Sequence, residues 1–226
     1  MKIKWGALVT DGRGKIGGHV ASKNRSGAYL RTKVTPVNPQ TSAQSAVRSS
    51  FGAISQAWSG LTLVLILAWN GAVADWQTTD IFGDLKKPTG KNLFLRLNQQ
   101  LVTSGQAQIT APPAKLEMVE GVADTPLFDL TNLELSLLNK YAGANANIVL
   151  YATPPMSQGT TFVKNKLRQI YSALGTGYSL TDAYSAYVAK FGTPSAGANV
   201  YVGVKYVLPN GQASPLQTIK ASVEVV

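Results

Sequence analysis

The segment Gly12-Arg13-Gly14-Lys15-Ile16-Gly17 comes closest to a motif with known chemistry. It matches the G-x-G-x-x-G fingerprint of dinucleotide-binding folds, in which a glycine turn leads into a helix whose N-terminal amides hold a pyrophosphate. The residues that follow, Gly18, His19 and Val20, show no helical periodicity, and no acid stands about 20 positions further on. The glycines therefore indicate tight turns or a close approach of two backbones, and we predict no bound cofactor.

Three carboxylates near the middle of the chain are the next candidates for chemistry. Asp75, Asp80 and Asp84 are each at least four residues apart, a spacing that does not make them converge on a metal or form an acid/base pair. We interpret them as an acidic helix end and loop at the surface. The chain has no Cys and one His, His19, which excludes thiolate chemistry and histidine-based metal sites or triads. We therefore predict no metal, no catalytic residue and no enzymatic activity.

Positive charge is concentrated near the N-terminus. Up to Phe51 there are nine Lys or Arg against Asp11 alone, which gives these residues a net charge of +8 out of the +10 of the whole chain. Such an asymmetry points to a partner surface rather than to a pocket. Only 14% of all residues are charged, which also favours extensive contact with other surfaces. The predicted docking residues are Arg13, Lys15, Lys23, Arg25, Tyr29, Arg31 and Lys33.

A β-hairpin is predicted to present these residues. Its strands are 16–23 and 27–34, on either side of the turn-forming Asn24-Arg25-Ser26-Gly27. Alternation gives an apolar face with Ile16, Val20, Leu30 and Val34, and an opposite face with His19, Lys23, Tyr29, Arg31 and Lys33. Because an isolated hairpin is marginal in water, we expect it to dock on another chain or on its own body. Pro36 and Pro39 then impose an extended connector.

Three amphipathic helices are predicted after the connector. The first runs from Thr41 or Ser42 to about Ser59, the second from Thr62 to Trp76, and the third from Gly90 to just before Gly105. Their apolar stripes are Val47, Phe51, Ile54 and Trp58; Leu65, Ala68, Trp69, Ala72 and Trp76; and Leu93, Phe94, Leu97 and Leu101. The short link between the first two predicts an antiparallel αα-hairpin.

The apolar run from Leu63 to Trp69 is the only stretch that suggests a membrane span. A bilayer requires roughly 20 such residues, and this run is well short of that length. We therefore interpret it as part of a buried core helix and predict no membrane contact.

Beyond Pro112-Pro113 the hydrophobic period changes from helical to alternating. Leu133, Leu135 and Leu137 alternate with polar residues, and further strands are predicted at 148–151 and 162–170. Residues 200–206 and 216–225 form two more strands around the turn Pro209-Asn210-Gly211-Gln212. Residues 179–191 have helical spacing instead.

These patterns predict an α+β fold in three parts. A basic β-hairpin arm occupies residues 1–40, and a small domain of three helices occupies residues 41–111. Residues 112–226 form an antiparallel β-sandwich of immunoglobulin or fibronectin type III character with one inserted helix.

Short motifs follow one another in a specific order along most of the chain: GKIGG at 14–18, NRSGAYLR at 24–31, NPQT at 38–41, WSGLT at 58–62, AWN at 68–70, NLF at 92–94, PP at 112–113, YAT at 151–153 and KFG at 190–192. This order resembles uncharacterised virion structural proteins of tailed bacteriophages, particularly those that infect gut and marine Bacteroidetes.

The resemblance implies a non-enzymatic virion component: an auxiliary capsid, neck or tail protein that is encoded among head and tail genes. It implies other virion proteins and further copies of the same chain as partners, without a small-molecule substrate. It also implies assembly in the host cytoplasm and a final location in the virion. In one respect the chain departs from such proteins, because the apolar residues 63–67 stand where polar ones are expected. This departure indicates a second helix that is buried on all sides, in part by a neighbouring subunit.

The basic arm has two functional interpretations. In the first, it docks on acidic neighbours in a larger assembly, where its glycines allow close approach and β-pairing. In the second, the protein is a DNA-binding packaging or scaffold-associated protein. Its Lys and Arg residues then neutralise phosphates in a non-specific, salt-sensitive contact to which Tyr29 adds stacking.

Overall fold

The computed structural model describes residues 1–6, 11–117, 122–123, 127–129, 133–134, 137–138, 146–157, 159–160, 162–174 and 183–224. Four α-helices and four sheets lie within these residues, and all strand pairs but one are antiparallel. The predicted α+β class is confirmed. The predictions for Leu135, for residues 179–182 and for Val225 lie outside the described residues.

The N-terminal segment forms a three-stranded antiparallel sheet of β1 (Gly14–Ile16), β2 (His19–Asn24) and β3 (Gly27–Thr32). A turn at 17–18 divides the segment that was predicted to be one strand, since Ile16 pairs with His19. Gly17 has a φ of +55° in this turn, a conformation that favours glycine. The G-x-G-x-x-G segment therefore leads into a strand rather than into a helix.

Three helices follow the extended connector: α1 (Ser42–Ser59), α2 (Leu63–Ala72) and α3 (Gly90–Thr103). Thr41 and Thr89 cap α1 and α3, because their hydroxyls accept hydrogen bonds from the Gln44 and Asn92 amides. These helix starts are confirmed, and so is the buried stripe of α3, namely Leu93, Phe94, Leu97 and Leu101. A small hairpin of β4 (Thr78–Thr79) and β5 (Leu85–Lys86) separates α2 from α3.

The predicted antiparallel packing of α1 on α2 is wrong. The two helices are bent by 111° at their link, and both pack on α3. Trp58 of α1 and Trp69 of α2 contact the same Phe94 ring, with centroid distances of 5.4 and 5.3 Å. The large aromatic groups of α1 and α2 thus meet at α3 instead of at each other. Among the described residues, no single helix is long and apolar enough to cross a membrane, and α1 and α2 pass that test only as this bent pair.

The rest of the chain supplies eight strands and one helix within the described residues. They are β6 (Val122–Ala123), β7 (Leu127–Asp129), β8 (Leu133–Glu134), β9 (Leu137–Leu138), β10 (Asn147–Ala152), β11 (Arg168–Leu174), α4 (Ala183–Phe191), β12 (Asn199–Val207) and β13 (Gln217–Glu224), counted over the described ranges. Six of the strands form one sheet in the order β11-β10-β12-β13-β7-β8, with β13 and β7 parallel. The other two, β6 and β9, pair with each other.

The predicted hairpin near the C-terminus is confirmed: β12 pairs with β13 from Asn199↔Ser222 to Val204↔Gln217. The strand predicted at 162–170 is displaced and begins only at Arg168. The residues before it form a turn, in which the Lys166 amide donates to the Val163 carbonyl at 2.9 Å.

The main sheet has a helix on each face. Tyr187 of α4 packs with alternate β12 residues, Val200, Val202, Val204 and Tyr206, on one face. On the other face, Leu101 of α3 packs with Val149 and Val207. The C-terminal end of α3 is also bonded to the sheet, because the Ser104 carbonyl accepts from the Asn147 amide at 2.7 Å and from the Ser172 hydroxyl at 2.9 Å.

Candidate docking surfaces

The predicted docking residues lie in and beside the N-terminal sheet. Tyr29 is half-buried, and the six cations are exposed, namely Arg13, Lys15, Lys23, Arg25, Arg31 and Lys33. In β1, β2 and β3 only Ala21 is buried. The sheet therefore presents nearly all of its side chains to solvent.

The cations do not share one face, which corrects the prediction. The turn at 25–26 pairs Asn24 with Gly27, so odd-numbered residues of β2 lie opposite even-numbered residues of β3. Cross-strand partners point to the same side of a sheet. Lys15, Tyr29 and Arg31 therefore lie on one face, whereas His19 and Lys23 lie on the other. Both faces of the arm carry positive charge.

Most of this charge has no counter-ion in the chain. Arg13 and Lys23 approach Asp11 at 3.8 and 3.9 Å. The other four arm cations, Lys15, Arg25, Arg31 and Lys33, form no ion pair with any described carboxylate. Exposed pairs of the Asp11 kind contribute only about 0.2 to 1 kcal/mol each. The arm thus keeps an unneutralised charge that can attract an acidic partner.

The chain start fastens the arm to the helical part. The Leu30 amide donates to the Met1 carbonyl at 2.8 Å, and the Ile3 amide donates to the Ala28 carbonyl at 3.0 Å, so residues 1–3 extend the sheet beside β3. Lys4 then lies 2.9 Å from the Asp84 carboxylate. Sequence reasoning missed this anchor, because alternation alone does not show which strand the first residues join.

Asp80 is the fixed centre of the anchor rather than a solvated surface acid. Its side chain is 3% exposed, and its carboxylate accepts hydrogen bonds from the Phe82 and Asp84 amides at 2.8 and 3.1 Å. Lys2 and Lys86 approach it at 3.8 and 3.7 Å. Burial acts to raise the pKa of Asp80, but these hydrogen bonds and lysines outweigh it and hold the pKa below its ordinary value. Among the described residues no three His, Asp or Glu side chains converge on a metal site.

The connector between the arm and α1 is exposed along its whole length. Every residue from 33 to 41 is exposed, including the apolar Val37 at 88%. One side-chain contact steadies it, from the Arg48 guanidinium to the Asn38 amide oxygen at 2.8 Å. The connector itself therefore contributes little packing between the arm and the body.

The first half of α1 is as exposed as the connector. Ile54 is buried and Trp58 half-buried, but the other two members of the predicted stripe, Val47 and Phe51, are more than half exposed. The predicted stripe is thus only half covered within the described residues.

The expectation that α2 is buried on all sides is wrong for the chain by itself. Trp69 is buried, yet Leu63, Val64 and Leu67 are 70, 75 and 61% exposed. Positions one, three and four apart cover one side of a helix. These three residues therefore form one apolar face, which we call the α2 face, on a helix without a single charge.

Comparison with known proteins identifies no family for this chain. No protein-family model matches the sequence, and no curated protein matches it. Among solved structures, a chain in the crystal structure of beta-1,2-glucanase from Parabacteroides distasonis is similar, with 15% identity and a TM-score of 0.35. The match covers 50% of this chain and 14% of the glucanase chain. A likeness of this size supports no inference about fold or activity.

Proposed function

We propose that the protein is a non-enzymatic structural component of a tailed-phage virion, as an auxiliary capsid, neck or tail protein. In this role it docks on neighbouring subunits through the N-terminal arm. The observation that carries the proposal is the exposure of the arm and connector, in which Ala21 is the one buried residue of the three strands. A sheet with so small a core gains stability mainly by covering its surface with a partner. The order of sequence motifs supports a virion as the setting.

The arm meets its partner by charge and by backbone pairing. Four of its cations lack a described counter-ion, and acidic side chains of a neighbour supply one. No described strand pairs with the outer edge of β1, to which a strand of the neighbour can add.

The α2 face is a second docking surface, and its occupant is another copy of this chain. Its neutral character gives no reason to favour an acidic or basic partner, and interface cores are depleted of charge. The three side chains of the α2 face are 61 to 75% exposed, so a second copy that covers them buries apolar surface, as the cores of interfaces do.

For residues 112–226 we propose an immunoglobulin-like or fibronectin type III-like sandwich that serves as a lateral contact module. The antiparallel pairing of β10, β11, β12 and β13 supports this proposal. In it, the short β6–β9 ladder belongs to the second sheet. An experimental structure in which β6 and β9 extend the main sheet instead would contradict the sandwich.

The arm is tested by neutralising charges that the fold does not use. The variant carries Lys15→Gln, Arg25→Gln and Arg31→Gln, and the matched control carries Lys87→Gln, Lys91→Gln and Lys220→Gln, all at exposed positions. We expect the arm variant to enter purified particles roughly tenfold less efficiently than the wild type, and the control to enter normally. Equal incorporation of both variants would show that the arm is not the docking element.

The alternative function, in which the protein binds DNA during packaging or scaffolding, rests on the same unpaired cations. It predicts that log K for duplex DNA falls linearly with log salt concentration. The arm variant should then lose about three phosphate contacts, each of which contributes roughly 0.9 to the magnitude of that slope. Wild-type protein that shows no salt-sensitive DNA binding would exclude this function while leaving the docking proposal intact.

Self-association through the α2 face is tested by sedimentation velocity. Wild type is expected to form dimers or larger oligomers, and a Leu63→Gln, Leu67→Gln variant is expected to be a folded monomer. Val37→Gln changes an equally exposed apolar residue outside α2 and should leave association unchanged. A monomeric wild type at high concentration would contradict the pairing of copies.

A further inference from the structure

A cleft of about 310 Å³ lies between α3 and the main sheet, on the side of the sheet opposite α4. Helix α3 contributes Arg96 and Gln100, β12 contributes Lys205, and the turn after β12 contributes Gln212 and Ser214. Trp76, which follows α2, closes one side. The volume of the cleft falls at the lower end of the range for small-molecule sites. Such sites occur preferentially where two structural units meet.

Two cations line this cleft without a counter-ion. Lys205 is half-buried, and its ammonium donates to the Gln100 side-chain oxygen at 2.5 Å. Arg96 lies at the mouth, with its guanidinium carbon 5.5 Å from the centre of the Trp76 ring. Every ion pair among the described residues uses Asp11, Asp80 or Asp84, and so neither of these cations has a carboxylate partner. Desolvation lowers the pKa of both groups.

Trp76 lines the same cleft, but its indole N–H does not open into it. The residue is 5% exposed, and its indole nitrogen is buried without a hydrogen-bond partner among the described residues. Trp69, by contrast, donates its indole N–H to the Thr110 carbonyl at 2.8 Å. The Trp76 N–H therefore serves as a reporter in the wall of the cleft, with any acceptor lying outside the described residues.

The other walls of the cleft are already bonded and fixed. The Gln212 side chain exchanges hydrogen bonds with the Leu116 backbone at 2.6 and 2.8 Å. Gly211 has a φ of +80°, and a Cβ on it would lie 2.7 Å from the Leu97 carbonyl oxygen, so the turn sits tightly against α3. The charged groups of the cleft without a described carboxylate partner are therefore Arg96 and Lys205, held on a rigid frame.

We propose that this cleft binds a small anion through a carboxylate or phosphate group, which accepts hydrogen bonds from Arg96 and Lys205. Both donors suit an oxyanion, and both also neutralise its charge. A second cavity of about 380 Å³ shares Lys205 and Ser214 with the cleft and adds Lys164, which gives room for the rest of an organic anion. The inference does not depend on the assembly role, since none of these residues belongs to the arm or to the α2 face.

The test follows the Trp76 indole N–H signal by NMR, assigned with a Trp76→Phe variant. Inorganic phosphate and succinate are the probes, with sodium chloride at matched ionic strength as the reference. We expect a saturable shift with phosphate or succinate and none with chloride. A shift with phosphate alone identifies a phosphate site, and a shift with succinate alone identifies a carboxylate site.

Variants separate a built site from general attraction to a basic protein. Lys205→Gln and Arg96→Gln should each weaken binding by roughly tenfold or more, as expected for loss of a charge-assisted hydrogen bond. Lys91→Gln removes an exposed charge from the same helix outside the cleft and should leave binding unchanged. Arg96 is exposed, so its variant remains informative even if Lys205→Gln unfolds the protein. The absence of a saturable shift with either probe, or equal affinities for all variants, would overturn the proposal.

Discussion

The Lys4 ammonium lies 2.9 Å from the Asp84 carboxylate and joins the start of the chain to the β4–β5 hairpin. Both side chains are substantially exposed, so water and salt screen their attraction. We expect Lys4→Gln to lower the free energy of unfolding by less than about 1 kcal/mol. Urea unfolding at low and high salt measures the loss, which should shrink as salt is added. A salt-independent loss would mean that Lys4 acts through its packing on Phe82 instead.

Asp80 should make stability depend on pH in the acid range. Because its folded-state pKa lies below the unfolded value, its carboxylate contributes stability that is fully present above the unfolded pKa, near 3.9. That contribution is lost as the pH falls below about 4 and passes through the folded-state pKa. Asp80→Asn should lower Tm at pH 7 and flatten this part of the profile. Parallel profiles for wild type and variant between about pH 2 and 6 would contradict the assignment.

The turn after β12 should resist a side chain at Gly211. Gly211 has a φ of +80°, so a side chain there would strain the backbone. The added Cβ would also lie 2.7 Å from the Leu97 carbonyl oxygen, which is a clash. Gly197 has a φ of +75° with open space around it, so Gly197→Ala measures the strain alone, on the order of 1 kcal/mol. Gly211→Ala should cost clearly more in chemical denaturation. Equal costs would show that the turn moves away from α3 freely.

Trp69 should be the least replaceable aromatic residue of the helical core. It is fully buried, meets Phe94 edge-on at 5.3 Å, and is hydrogen-bonded to Thr110. Trp69→Phe leaves a cavity and an unpaired carbonyl, which together cost about 2 to 4 kcal/mol. Trp58 contacts the same Phe94 ring but is only half-buried. Trp58→Phe should therefore lower the free energy of unfolding by about 1 kcal/mol, measured in guanidinium. If Trp58→Phe destabilised the protein more than Trp69→Phe, the centre of the helical core would lie nearer α1.

Local signals predicted the elements that form within one segment. The regular stripe of Leu93, Phe94, Leu97 and Leu101, with glycines at both ends, was sufficient to predict α3. The Asn-Gly turn and the alternating valines likewise predicted β12 and β13. In each case the interaction that decides the structure lies a few residues away along the chain.

Features that depend on distant contacts could not be predicted in this way. The two faces of the arm follow from the parity of one turn, and alternation within a strand does not reveal how it is matched to its neighbour. The angle between α1 and α2 depends on Phe94, which belongs to neither helix. The anion cleft joins Trp76, Arg96 and Lys205 from three separate elements, and nothing in their local patterns distinguishes them from surface residues.

In the proposed docking role, the connector at residues 33–41 would act as a molecular ruler. Nine extended residues span at most about 30 Å, roughly the diameter of a small domain. Pro36 and Pro39 fix φ at two points, which opposes coiling into a shorter path. A neighbour gripped by the sheet of the arm must therefore lie within that span of the Thr41 cap. The length of this segment sets an upper limit on the spacing of subunits in any array that the arm builds.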